Sequence, residues 1–334
     1  MTLSTFGSNA GQPAGIRVAC IGECMVELAH IGPSNLQLAF GGDTSNTAVY
    51  LARLTDGCDI AVDYITALGD DAYSEAMLRC WHEEGVGTGL VTRMEGRLPG
   101  LYTISTDEAG ERSFTYWRGQ SAARDLLRDG RGGKLASALK GVDLVYLSGI
   151  TLSVLDDLQR SALLKVLDDV REAGGKVAFD GNFRPAGWPN MKEARAAFQA
   201  VLTRTEIALP TFDDEQALFG DTGPAAVAAR LRKQGVAEVV VKLGAAGCFL
   251  AADDGEEMIA TTPVDHVVDS TAAGDSFNAG YLAGRLLGWS PADAARLGHR
   301  LAGKVVRHRG AVIPKDAMPG GPNGELKRNG GREG

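Results

Sequence analysis

Residues 269–280 read Asp-Ser-Thr-Ala-Ala-Gly-Asp-Ser-Phe-Asn-Ala-Gly. Small residues from Ser270 to Gly274 lead straight into a helical pattern. Phe277, Tyr281 and Leu282 recur at i, i+4 and i+5, and Leu286 follows four positions later, as one helix face requires. Such a turn exposes N–H groups that have no partner inside the helix, and the helix dipole adds positive potential. The turn therefore suits phosphate. Asp275 stands in the same turn. A carboxylate repels a resting phosphate, but it fits as the proton acceptor for a hydroxyl that attacks one. An anion cradle beside a carboxylate base is the minimal apparatus of phosphoryl transfer to an alcohol. Taken alone, residues 272–275 also read as an ordinary N-cap and first turn.

Outward from this stretch, short apolar runs alternate with helical patterns. Strands are predicted at Val18–Ile21, Ile60–Thr66, Leu144–Leu147, Lys176–Asp180, Glu206–Leu209 and Val239–Lys242. Helices are predicted at 45–54, 72–84, 155–173, 191–202, 223–234, 275–287 and 292–308. This alternation predicts an α/β fold, doubly wound, with a mostly parallel sheet flanked by helices. Residues 24–40 and 89–118 break the pattern. Strand-like pieces at Leu101–Ser105 and Ser113–Trp117, with Gly110 as a hairpin turn, predict a small β-sheet that covers a site as a lid or joins subunits. One domain is expected over 16–318, with disorder at 1–15 and 319–334.

The 334 residues carry a net charge of -8 and no basic stripe, which argues against nucleic acid or an anionic membrane as partner. No apolar run is long enough to span a bilayer. Five cysteines without a C-x-x-C pair suit a reducing cytoplasm, and five scattered histidines show no metal spacing.

Ligands of open α/β sheets collect at the C-terminal ends of parallel strands. Asp180-Gly-Asn-Phe-Arg184 follows such an end. Arg184 is either a surface arginine or a guanidinium fork aimed at a carboxylate. Tyr116 and Arg118 share one face on a two-residue period, with Tyr102 on the preceding piece. They read either as an exposed edge or as further contacts for a small hydroxylated acid. Gly41-Gly42-Asp43-Thr44-Ser45-Asn46 opens a helix, and its glycines permit close approach by a ligand. Lys242-Leu-Gly244-Ala-Ala-Gly247 is either a hairpin or a turn in which Lys242 meets a phosphate. There is no P-loop, and no Gly-x-Gly-x-x-Gly follows the first strand.

With Gly41-Gly42 and Asn46 near one end and residues 269–280 near the other, the chain resembles the ribokinase-like (PfkB) carbohydrate kinases over about 16–318. Gly42–Arg53, Arg97–Tyr102, Tyr116–Arg118, Asp180–Pro185 and Thr271–Phe277 resemble the branch acting on 2-keto-3-deoxygluconate. The resemblance implies a ribokinase-like fold with a small β lid, and transfer of the ATP γ-phosphoryl to the sugar acid's 6-hydroxyl with Mg2+. It implies Asp275 as base, with Ala272, Ala273 and Gly274 holding the moving charge. Gly42, Asn46, Tyr102, Tyr116, Arg118 and Arg184 would hold the sugar acid. Lys242, Gly244, Gly247 and Gly274 would flank the nucleotide, with Ala302 lining the adenine pocket and Gly310 closing it. The family's Asn-x-x-Glu motif is altered here to Pro210-Thr-Phe-Asp-Asp-Glu215, so Asp214 or, one position on, Glu215 would serve the metal through water. Homo-oligomerisation through the lid is a further expectation. A neutral-sugar kinase of the same fold, on fructose or ribose, and a non-catalytic sugar-acid sensor are the alternatives.

Overall fold

The computed structural model describes residues 15–32, 34–106 and 112–319. The two tails beyond these bounds and the hairpin turn expected at Gly110 lie outside the described residues. The central sheet has eight strands, in the order Gly255–Ile259, Cys248–Ala252, Glu238–Lys242, Ile207–Ala208, Lys176–Asp180, Leu144–Ser148, Ile16–Ile21 and Ile60–Ile65. The six strands from Glu238–Lys242 onward pair in parallel, and the first two pair antiparallel.

Side-chain alternation divides each central strand between two cores. Val18, Cys20, Leu144, Tyr146 and Val240 pack on one face with the helices Asp43–Leu54, Ala72–Glu83, Ala273–Leu286 and Pro291–Val305. Ala19, Ile21, Val145, Leu147, Val239 and Val241 pack on the other with the helices Arg131–Ala138, Asp157–Glu172, Met191–Leu202 and Pro224–Lys233. Strands buried on both faces read as unbroken apolar runs, which is why their positions were legible. The expected α/β class, with helices on both faces of a mostly parallel sheet, is what the chain adopts.

Three helices, Arg131–Ala138, Gly149–Val154 and Phe212–Phe219, were not anticipated. Paired glycines weaken the first pattern, the second is short, and the acidic start of the third reads as loop. The antiparallel strands Cys248–Ala252 and Gly255–Ile259 were also missed.

A second sheet has the order Leu36–Gly41, Met25–His30, Gly100–Thr106 and Arg112–Trp117. One face aligns Ala39, Glu27, Tyr102 and Tyr116 across the strands. The other carries Leu38 and Trp117, both exposed. Among the described residues, no helix is long and apolar enough to cross a membrane.

Asp71, Asp156, Asn190 and Ser290 cap peripheral helices with their side chains. The helices Asp43–Leu54 and Ala273–Leu286 start instead at Gly42 and Ala272, with no side-chain cap. Their first-turn N–H groups are left for other partners. Both starts meet the C-terminal edge of the parallel strands.

Candidate active site

Two adjoining cavities lie at that edge. One, of about 930 Å³, is lined by Asp43, Tyr116, Asp180, Arg184 and the turn from Ser270 to Asp275, among others. The other, of about 340 Å³, has largely apolar walls that include Val264, Phe277, His299 and Val306. Thr211, Lys242, Val267, Ser270, Ala273 and Gly274 line both, so the start of the helix Ala273–Leu286 forms their common wall.

Ala272 takes a left-handed backbone at φ 59°, which turns the chain sharply into this helix. The Ala273 N–H bonds the Ser270 carbonyl at 3.2 Å. Of the trio Ala272–Gly274 read from the sequence, the Ala273 N–H is thus engaged within the turn, while Gly274 stands with Asp275 among the first-turn donors of the helix. The helix begins two residues earlier than its periodicity showed, which puts Asp275 inside the first turn.

Asp275 is half-buried, and Asn46 Nδ2 donates to its Oδ2 at 2.8 Å. Burial raises its carboxyl to about 7, helped by the negative charges of Asp43 and Asp180 and opposed by Asn46 and Lys242. Lys242 Nζ donates to Asp180 Oδ2 at 3.0 Å and to Asn278 Oδ1 at 3.1 Å. Asn278 Nδ2 donates in turn to Asp180 Oδ2 and to the Tyr146 hydroxyl. Asp43 accepts from Asn182 Nδ2 at 2.7 Å, and burial raises its carboxyl as well. Asp43 and Asp180 thus bring negative charge up to Asp275, partly offset by the single ammonium of Lys242. That arrangement keeps a carboxyl near neutrality and able to take a proton.

The sequence-named acceptor residues separate into two groups. Tyr116 and Arg184 line the larger cavity, and Asn46 reaches it through Asp275. Gly42 packs so tightly on the Glu23 backbone that no Cβ fits there. Tyr102 and Arg118 are not among the lining residues. The Tyr102 hydroxyl donates to the Glu27 carboxylate, and Arg118 pairs with Glu23, whose side chain is buried. Two carboxylates of this chain thus engage groups that sequence reading reserved for an acid ligand. Neither Glu23 nor Glu27 was singled out, because their partners lie 95 and 75 residues away. Asp43, Asp180, Asn182, Phe114 and His299 are further wall residues without an assigned role in the sequence reading.

On the apolar side, Gly244, Gly247, Gly274 and Ala302 all line the smaller cavity, together with His299, Gly303 and Val306. The turn from Gly244 to Gly247 is also the hairpin joining Glu238–Lys242 to Cys248–Ala252. Gly310 does not line this cavity. Its N–H donates to Asp269 Oδ2 at 2.7 Å, and Asp269 Oδ1 accepts from Thr271. It braces the turn from outside. A Cβ on Gly274 would meet only Lys242 Nζ, at 3.6 Å. Gly274→Ala is therefore expected to fold with an unchanged melting temperature, yet lose about 10–100-fold in kcat/KM by filling the space a phosphoryl group must enter. Equal losses of stability and activity would instead mark the glycine as structural.

Asp214 and Glu215 are neighbours on the helix Phe212–Phe219, so they cannot face the same way. Glu215 is buried and paired with Arg230, away from both cavities, which corrects its sequence assignment to the metal. Asp214 accepts from the Phe183 N–H at 3.2 Å and lies 3.4 Å from Arg184 Nη1. Asp180 Oδ1 is buried without a hydrogen-bond partner. An orphaned carboxylate oxygen on a cavity wall, with Asp214 near the same loop, is a donor set that fits a hard divalent cation keeping most of its waters.

The pfkB family carbohydrate kinase model matches residues 16–318. The chain is 48% identical to the 2-dehydro-3-deoxygluconokinase of Escherichia coli K12 over 307 residues, covering 91% of this chain and 99% of that protein. It is 46% identical to the enzyme of the same name from Dickeya dadantii over 306 residues, 90% of this chain and 98% of the relative. The crystal structure of a PfkB protein from Polaromonas sp. JS666 superposes with a TM-score of 0.78 at 26% identity, covering 88% of this chain and 96% of that one. With the doubly wound sheet, its small second sheet and the glycine-led helix already described, these likenesses identify the chain as a member of the pfkB family of carbohydrate kinases.

Proposed function

We propose that this chain transfers the γ-phosphoryl of ATP to the 6-hydroxyl of 2-keto-3-deoxy-D-gluconate (2-dehydro-3-deoxygluconate). The observation that carries the reading is Asp275, a half-buried carboxylate raised toward neutrality in the larger cavity, next to Gly274, which lines both cavities. The activity named for relatives at 46–48% identity supports the acceptor.

The apolar cavity takes the adenosine, with its phosphates directed along the Gly274 wall. The acceptor lies in the larger, polar cavity. Asp275 takes the proton of the 6-hydroxyl as its oxygen attacks the γ-phosphorus. The bond to the β–γ bridging oxygen breaks, and ADP leaves. The Gly274 and Asp275 N–H groups and the positive helix end stabilise the charge that builds on the moving group. Lys242, already held by Asp180 and Asn278, adds a fixed positive charge beside them. Asp180 and Asp214 would hold Mg2+, which supplies charge neutralisation for the polyphosphate.

Arg184 is half exposed; its Nη1 donates to the Phe183 carbonyl at 2.8 Å and pairs loosely with Asp214, which leaves Nε and Nη2 for the acid's carboxylate. Arg184→Ala is expected to raise the KM for the sugar acid about 10–100-fold and leave that for ATP unchanged. A shift confined to ATP would reverse this division of the cleft. A panel of 2-keto-3-deoxygluconate, 2-keto-3-deoxygalactonate, fructose and ribose with ATP and Mg2+ tests the acceptor. Preference for either neutral sugar overturns the reading.

A further inference from the structure

Phe114 is an apolar ring left open to a polar cavity. It stands on the strand Arg112–Trp117 of the second sheet, two residues before Tyr116, so the two side chains share a face. Both line the larger cavity. Their rings stack with planes 16° apart and centroids 6.4 Å apart, and the Tyr102 ring packs beside both. The stack fixes the direction of the Phe114 ring yet leaves 44% of the residue exposed.

A single exposed phenylalanine on a surface needs no explanation. This one is the largest wholly apolar side chain lining a cavity rich in charge, where Asp43, Asp180, Arg184, Lys242 and Asp275 also stand. The two neighbouring rings, Tyr102 and Tyr116, each end in a hydroxyl, and Phe114 does not. Such a ring sheds its water favourably only against a part of the ligand that carries no oxygen. The acceptor has one such part. C1 and C2 carry carboxylate and carbonyl oxygens, C4 to C6 carry hydroxyls, and C3 is a methylene. With the 6-hydroxyl at Asp275 and the carboxylate at Arg184, C3 lies between the two anchors, in the body of the cavity.

We propose that Phe114 is a specificity-determining residue that packs on the C3 methylene and selects 3-deoxy acids over acids hydroxylated at C3. This rests on the reading above, in which the acceptor is 2-keto-3-deoxygluconate. A hydroxyl at C3 would be pressed against the ring, losing its water and gaining no partner.

The test compares 2-keto-3-deoxygluconate with 2-ketogluconate, which differs from it by the C3 hydroxyl alone, at saturating ATP and Mg2+ in wild type, Phe114→Leu and Phe114→Ala. The readout is the ratio of kcat/KM for the two acceptors, which a general loosening of the second sheet would not move. Wild type is expected to favour the deoxy acid about 10–100-fold. Phe114→Ala should cut that ratio about 5–20-fold, and Phe114→Leu, still apolar, should keep most of it. An unchanged ratio in Phe114→Ala, or a wild type that turns over both acids equally well, overturns the assignment and leaves the kinase reading standing. A wild type inactive on 2-keto-3-deoxygluconate overturns the substrate reading and this assignment with it.

Discussion

Asp275→Asn is expected to lower kcat by about 10²–10⁴-fold while making the fold more stable. The catalytic loss follows from removing the proton acceptor at the junction of the two cavities. The gain in stability follows from its pKa. The folded-state value, about 7, is raised above the ordinary 3.8 by burial and by the charge of Asp43. A group raised in this way contributes stability below its unfolded value, and that contribution is lost as pH rises through the folded value. At pH 8 the native state therefore carries an ionised carboxylate it would rather have protonated. Asparagine removes that cost and keeps an oxygen for Asn46 Nδ2. The melting temperature of the variant should exceed wild type by a few °C at pH 8, about 2–4 °C for each kcal/mol recovered, and match it near pH 3. In wild type, kcat/KM should fall as pH drops through about 7, and the variant's residual rate should show no such limb. Near wild-type turnover in Asp275→Asn would remove the base from the mechanism.

Lys242→Met is expected to be the most destabilising change in the cleft. The ammonium is buried and compensates Asp180, whose Oδ1 already lacks a partner. Removing one member of a buried pair leaves an uncompensated charge, at a cost of about 3–5 kcal/mol. For a chain of this size that is a fall of roughly 6–20 °C in melting temperature. Turnover should also drop at temperatures where the variant stays folded, because Lys242 borders both cavities. Thermal melts and single-turnover rates at 15 °C would separate the two effects. A variant that melts like wild type would overturn the view that this ammonium is what compensates Asp180.

The strands at the centre of the sheet were legible because burial on both faces leaves an apolar run with no other explanation. The turn from Ser270 to Asp275 was legible because small residues, a carboxylate and a helical face meet within one short stretch. What stayed hidden was pairing at a distance. Asn46 and Asp275 are 229 residues apart, and nothing in either segment names the other. Arg118 looked available for a ligand because its partner Glu23 lies 95 residues away in an unremarked segment. Glu215 looked suited to a metal because spacing counts positions along a helix, whereas direction around it turns this side chain to Arg230. In each case local chemistry was readable and long-range company was not.

The common wall of the two cavities has a stereochemical consequence. In the proposed reaction donor and acceptor occupy separate chambers that meet at Ala273 and Gly274, so both must be bound before the phosphoryl moves. A group passing directly from one chamber to the other makes no stop on the protein. It is displaced once, from the side opposite its leaving oxygen, and its configuration at phosphorus is turned inside out.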